Sequence, residues 1–246
     1  MPRLRLTDET WNVLSTMMHL SGRIYNKPEN RRTLQGILFK MRTGIPWPDL
    51  PPYFGKWSAV FRRFNLWSKK DVLNELFRVL TCHADTDWLF IDGNIVRAHQ
   101  HNTGAATADD ESIGKSRGGN STKIYLAVDS GGLPVYYELS CRNTHDIIHG
   151  ESLVANSPAS KIVVADKGYS SEKLRDYIRE NDATPVIPRK VNSLVGNDHI
   201  DWCMYKYRHL LENAFGRIKQ YRGIATRYEK LERNYHSMVA LAFAMM

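Results

Sequence analysis

Two apolar runs in this 246-residue chain each end on an aspartate. Trp88-Leu-Phe-Ile-Asp92 is closed by Gly93, and Lys161-Ile-Val-Val-Ala-Asp166 by Lys167-Gly168-Tyr169. Each reads as a buried strand that presents a carboxylate at its end, the place where α/β sheets build their sites. Two buried carboxylates so placed repel each other unless a cation neutralises them, and hard oxygen ligands favour Mg²⁺ or Mn²⁺. Turn chemistry is the alternative account of each aspartate, because Asp-Gly and Asp-Lys-Gly turns are common. Further on, Tyr205, Arg208, Glu212 and Lys219 follow one another at steps of 3, 4 and 7 residues, which keeps all four on one helical face. That face carries an acid flanked by two cations and a phenol. It is either a solvated face with ordinary ion pairs or a third acid among phosphate-binding side chains, as a metal-dependent phosphodiester cutter would need.

The elements that must position these groups fall into two kinds. Up to about residue 84 the periodicity is helical. Asp8 to Leu20 follows a cap-like Thr7 and carries Trp11, Leu14 and Met18; Arg31 to Met41 carries Leu34, Ile37, Leu38 and Met41 on one stripe. Pro46, Pro48, Pro51 and Pro52 break the pattern before Trp57 to Trp67 resumes it, and another helix is expected over Lys70 to His83. From Trp88 the pattern is that of strands: one ending at Asp92, a hairpin of Lys123 to Asp129 and Leu133 to Ser140 around Ser130-Gly131-Gly132, one ending at Asp166, and a short one over Thr184 to Ile187. Residues 99 to 121 read as a long polar loop, Ser171 to Asn181 as a helix, and Tyr205 to Tyr221 as a long helix ended by Gly223. The order is that of an α/β domain with a mixed sheet behind a small all-helical one, giving a division into residues 1–84 and 85–246.

Charge separates the same two parts. The chain holds 34 Lys and Arg against 26 Asp and Glu, yet residues 1–80 hold 14 against 6 and the remainder cancels. With Arg31, Arg32, Arg62 and Arg63 at the starts or faces of short helices, the first part suggests a helix-turn-helix-like reader of DNA; a basic face on a plain helical bundle is the alternative. Three cysteines, Cys82, Cys141 and Cys203, have no metal-site spacing and suit a reducing cytoplasm. No charged-then-apolar leader opens the chain and no apolar run approaches the roughly 18 residues of a membrane span, so no membrane role is expected.

Taken together these residues resemble the DDE-class insertion-sequence transposases, specifically the large fifth insertion-sequence family (the IS-five group). Phe90-Ile91-Asp92-Gly93 is similar to that family's first acidic motif and Ala165-Asp166-Lys167-Gly168-Tyr169 to its second; Tyr205, Arg208, Glu212 and Lys219 fit its Y-x2-R-x3-E-x6-K signature at every position. Asn143-Thr144-His145-Asp146 and Gly44-Ile45-Pro46-Trp47-Pro48-Asp49-Leu50-Pro51 also look like the family, so the likeness covers nearly the whole chain. The resemblance implies a ribonuclease-H-like catalytic domain in which Asp92, Asp166 and Glu212 hold two Mg²⁺ or Mn²⁺ ions. These ions activate water, and then a 3′-hydroxyl, for attack on DNA phosphates. It implies that Tyr205, Arg208 and Lys219 contact DNA, that terminal inverted repeats and target DNA are the partners, that the chain works as a homo-oligomer on DNA, and that it belongs in the bacterial cytoplasm at the nucleoid. Members of the family usually continue past the equivalent of Met246, so a clipped C-terminus in a decayed element is an expectation too. The alternative function is a domesticated or decayed DNA-binding protein with an inert catalytic domain.

Other groups invite chemistry less strongly. His99 and His101 bracket Gln100 without a third ligand and read as surface or DNA-facing residues. His145 and Asp146 follow the hairpin, where they could line the site or serve structure. Lys115 and Arg117, in the glycine-rich loop, could track a phosphate backbone or simply be solvated.

Overall fold

A computed structural model describes residues 6–20, 27–99, 114–116, 119–141, 145–190 and 192–246, with backbone alone at 114–116 and 141. His101, Arg117 and the Asn143-Thr144 pair lie outside the described residues, as does the side chain of Lys115. The chain divides into two compact units. Among the described residues no helix is long and apolar enough to cross a membrane.

The first unit joins residues 1–80 to 97–111 and 218–245. Its helices α1 (Asp8–Leu20), α2 (Glu29–Thr43), α3 (Trp57–Lys69) and α4 (Val72–Leu80) lie where the periodicity puts them. Thr7 caps α1, its hydroxyl accepting from the N–H of Thr10 at 3.1 Å. Leu34, Ile37, Met41, Phe64 and Trp67 are fully buried. The core of this unit is completed by the apolar C-terminal helix α10 (Glu232–Ala244), which packs on α4 and α3. A helix apolar over most of its circumference needs cover on several sides, and α10 buries Tyr235, Met238, Val239, Leu241 and Phe243.

The second unit holds residues 81–96 and 112–217. Its strands are β1 (Trp88–Ala98, whose last two residues belong to the first unit), β2 (Gly114–Ser116), β3 (Gly119–Val128), β4 (Pro134–Cys141), β5 (Ile162–Ala165) and β6 (Thr184–Val186). They order as β4-β3-β1-β5-β6, with β2 also on β3; β1, β5 and β6 run parallel and β3 with β4 forms the expected hairpin. Helix α5 (Asp146–Ala155), which the sequence reading did not recognise, connects β4 to β5, and α6 (Glu172–Glu180) connects β5 to β6. This is a ribonuclease-H-like mixed sheet.

Three local expectations are corrected. Strand β1 does not stop at Asp92 but runs on to Ala98, where Arg97 and Ala98 pair with β7 (Thr226–Arg227) in the first unit. Gly93 is therefore not a turn residue: a Cβ there would lie 2.6 Å from Lys123 Cε and 2.8 Å from the Tyr125 ring, so glycine is what lets two side chains of β3 cross the strand. The helix expected from Tyr205 to Tyr221 is interrupted, α7 (Trp202–Lys206) giving way to a turn at Tyr207 and Arg208 before α8 (His209–Lys219). Hydrogen bonds from Arg208, Leu210 and Leu211 reach back three residues there instead of four, tightening the chain while the Tyr207 ring packs edge-on against Trp88 at 5.2 Å. Finally, Gly223 does not end that helix; it sits inside the short α9 (Arg222–Ala225), where a Cβ would press on the backbone oxygen of Met41 at 3.2 Å.

Candidate active site in the second unit

Parallel pairing of β1 with β5 sets Ile91 opposite Ala165, so Asp92 within β1 and Asp166 just past β5 lie at the same level. Both aspartates also bond locally: Asp92 Oδ1 accepts from the N–H of Gly93 within β1, and Asp166 Oδ1 from the N–H of Gly168 in the turn after β5, each at 2.7 Å. Local bonding and convergence coexist. Burial pushes the carboxyl of Asp92 up to about 6, and the nearby charges of Asp166 and Asp146 add to that; the Gly93 N–H and the Arg208 guanidinium oppose it.

The third acid arrives through an arginine. Arg208 donates to Asp92 Oδ2 at 2.8 Å and to Glu212 Oε1 at 2.7 Å, so the turn between α7 and α8 aims one guanidinium at two of the three expected acids. Glu212 itself remains exposed, 59% of its side chain open to solvent, whereas Asp92 is 20% open. Tyr205 is half-buried in the same field; burial raises its hydroxyl pKa, and Arg208 opposes that rise while Asp166 and Asp92 add to it. Lys219 is the exposed last residue of α8.

Sequence reasoning set Asp146 aside as an open case and passed over Lys123, Tyr125, Glu138 and His149, all of which the fold gathers here. Lys123 forms an ion pair with Asp146 Oδ1, and Tyr125 OH donates to the same oxygen at 3.2 Å. His149 stacks on the Tyr125 ring with centroids 4.0 Å apart and meets Glu138 Oε2 through Nδ1 at 2.8 Å. Burial pushes Glu138 up, but hydrogen bonds from His149, Ser152 and Tyr136 outweigh it and hold the carboxyl below its usual range. The available signal was a lysine two residues from a tyrosine in an otherwise apolar strand, which places both on one face.

Among the described residues no three His, Cys, Asp or Glu side chains already converge as a metal cage; the carboxylates are turned toward Lys123, Arg208 and backbone N–H groups. Asp92 and Asp166 nonetheless fit a divalent cation. Asp92 is held at a charge cost that a cation would remove. The hydroxyl of Tyr169, fully buried beside Asp92, Asp146 and Asp166, has no hydrogen-bond partner among the described residues.

Arg31, Arg32, Arg62 and Arg63 of the first unit lie on two helices. On α2, Arg31 and Arg32 line a concavity of about 490 Å³ with Glu29, Gln35 and Tyr53, and Arg31 is tied to Asp8 at 2.6 Å. On α3, Arg62 is exposed and bonded to Ser58 O within its own helix, and Arg63 is half-buried. His99 is exposed and its ring lies 5.2 Å from that of Tyr228.

Comparison with known proteins bears on both parts. Residues 6–77 match the family described as "Putative transposase of IS4/5 family", and residues 83–246 match the family described as "Transposase DDE domain". Similar curated proteins are "Uncharacterized protein y4sN" of Sinorhizobium fredii, 34% identical over 128 residues, and "Putative transposase for insertion sequence element IS6501" of Brucella ovis, 36% identical over 128 residues. Each alignment takes in 51% of this chain and 96% and 97% of those proteins, respectively. A cryo-EM structure of a piggyBac transposase synaptic complex with hairpin DNA aligns over 78% of this chain at 14% identity and a TM-score of 0.45; this chain spans 50% of that one. With two thirds of its length matched to the DDE domain and a curated insertion-sequence relative almost wholly aligned, the chain belongs to the DDE transposases of the IS4/IS5 group.

Proposed function

We propose that this transposase binds the terminal inverted repeats of an insertion sequence, cleaves DNA there and joins the 3′-hydroxyl ends to target DNA. The observation that carries the proposal is the pairing register that brings Asp92 beside Asp166 while Arg208 ties Asp92 to Glu212. Asp92, Asp166 and Glu212 are the catalytic acids, and they hold Mg²⁺ or Mn²⁺, two ions in the full complex. The ions, when bound, supply Lewis-acid activation of the attacking oxygen and of the phosphate.

The chain's own residues do the rest. Arg208 is the counter-charge that keeps Asp92 and Glu212 together before DNA arrives, and with Tyr205 it then faces the phosphate backbone. Lys219, exposed at the end of α8, contacts flanking DNA. The surplus of basic residues over 1–80 supplies end recognition, with Arg31, Arg32, Arg62 and Arg63 as its contacts, in a domain proposed to span residues 1–84 ahead of a catalytic domain over 85–246. Double-stranded DNA is the partner, the working form is a homo-oligomer on it, and the nucleoid is the place of action.

The test is cleavage of a terminal-repeat duplex in Mg²⁺ by Asp92→Asn, Asp166→Asn and Glu212→Gln, which keep shape and remove charge. Each is expected to abolish cleavage while leaving DNA binding and the melting profile of a folded protein. Undiminished cleavage by any one of them would remove that residue from the site.

A further inference from the structure

We infer that Asp146 is a metal ligand of this site and that Lys123 is the resident cation holding its place until a divalent ion arrives. The inference rests on the proposed metal dependence of Asp92 and Asp166 and adds to it a carboxylate from a different element, the first residue of α5. Asp146 and Asp166 meet over one glycine: a Cβ built at Gly168 would lie 2.8 Å from Asp166 Oδ1 and 3.3 Å from Asp146 Oδ2. Asp146 also bears on Asp92, contributing to the upward pressure on that carboxyl. Three acids thus share a small volume in the second unit, whereas Glu212 stands at its solvent edge.

The volume is balanced by side-chain cations. Lys123, its side chain 11% exposed, reaches Asp146 from β3 by passing over Gly93, where any side chain would block it. Arg208 pairs with Asp92 at 2.8 Å. A buried lysine among carboxylates supplies a single positive charge where a divalent ion would supply two, and its flexible stem allows it to swing away. The second, independent observation is Tyr169. Its side chain is fully buried, its hydroxyl has no partner among the described residues, and the charges acting on it include Asp92, Asp146 and Asp166. Buried hydroxyls are ordinarily satisfied; the water shell of a hydrated cation between these acids would satisfy this one.

Lys123 and the ion compete on this account, which sets opposite signs for two substitutions. Mn²⁺ binding to the full chain, without DNA, would be measured by calorimetric titration for wild type, Asp92→Asn, Asp146→Asn and Lys123→Gln, with thermal melts to confirm folding. Asp146→Asn is expected to weaken Mn²⁺ binding by about 10-fold or more, the scale on which even outer partners of a metal site act. Lys123→Gln is expected to strengthen it. A merely structural Lys123–Asp146 pair predicts that both substitutions lower the melting temperature and that neither changes affinity upward. If Asp92→Asn weakens binding while Asp146→Asn does not, the inference falls and the proposed function stands. If wild type binds no Mn²⁺ at millimolar concentration, both fall. Should Asp146→Asn fail to fold, Lys123→Gln still decides: unchanged or weaker Mn²⁺ binding overturns the inference.

Discussion

Removing the charge of Asp92 should make the metal-free protein more stable. A carboxyl that titrates at about 6 in the folded chain and at 3.8 otherwise binds its proton more tightly when folded, by roughly 3 kcal/mol at about 1.36 kcal/mol per pH unit. The sign follows from linkage. Between about pH 4 and 6 the folded state holds more protons than the unfolded one, so stability falls as pH rises through that window and the whole cost is present above it. Asp92→Asn keeps an oxygen for the Gly93 N–H and removes the like-charge repulsion from Asp166 and Asp146. Arg208 loses one carboxylate but keeps Glu212; its attraction for Asp92 already counts against the rise to about 6, so the net gain at pH 7.5 is about 3 kcal/mol. For a chain of this size that is a rise in melting temperature of roughly 6–12 °C. Melts followed by circular dichroism in EDTA, at about pH 7.5 and pH 4, would show a higher transition for the variant at the first pH and none at the second. Excess Mg²⁺ should then stabilise wild type and not the variant, because only a ligand that prefers the folded state raises stability. A variant no more stable than wild type in EDTA at pH 7.5, or one equally favoured at both pH values, would refute the account of Asp92.

His236 gives the opposite pH dependence in the first unit: burial, with Arg78 nearby and Asp71 opposing, holds its ring at about 4. The folded state therefore loses up to about 3 kcal/mol as pH falls from 6.5 through 4, and His236→Gln should flatten that slope in urea melts at pH 7 and 4.5. Lys40 and Glu229 form a buried ion pair at 3.1 Å, with Trp47 Nε1 donating to the same carboxylate oxygen at 3.1 Å. Glu229→Gln or Lys40→Met alone should cost roughly 3–5 kcal/mol and the apolar double replacement far less, as measured by thermal melts of a double-mutant cycle. Lys219→Ala should lower end joining by about 10-fold, the loss of a charge-assisted contact of roughly 1.5–3 kcal/mol, without shifting the melting temperature; a shift without loss of joining would make the residue structural.

What the sequence disclosed well was whatever depended on local pattern. Helices α1 to α4, the hairpin around Ser130-Gly131-Gly132 and the two strands that carry Asp92 and Asp166 could all be read from periodicity and turn residues. Helix α5 could not, since Ile147 and Ile148 are exposed and only Gly150 and Leu153 are buried, so no apolar stripe marks it. The break at Tyr207 was equally hidden, because spacing on an ideal helix and spacing across a tight turn both keep Arg208 near Glu212. Nor did charge mark the edge of the first unit. The charge surplus ends near residue 80, but α10 joins the first unit for its apolar cover.

At the site the division is between acids and their counter-charges. Aspartates that close apolar runs announce themselves; the cations that balance them do not, because each reaches its partner across the fold. Lys123 and Asp146 are 23 residues apart, and Arg208 and Asp92 are 116 apart. Lys123 is paired with Asp146 and Arg208 with both Asp92 and Glu212, while Asp166 Oδ1 accepts from a backbone N–H of its own turn. A divalent ion held by Asp92 and Asp166, as proposed, would supply the counter-charge that Arg208 now gives Asp92; Arg208, bound to Glu212 as well, would then be available to a DNA phosphate.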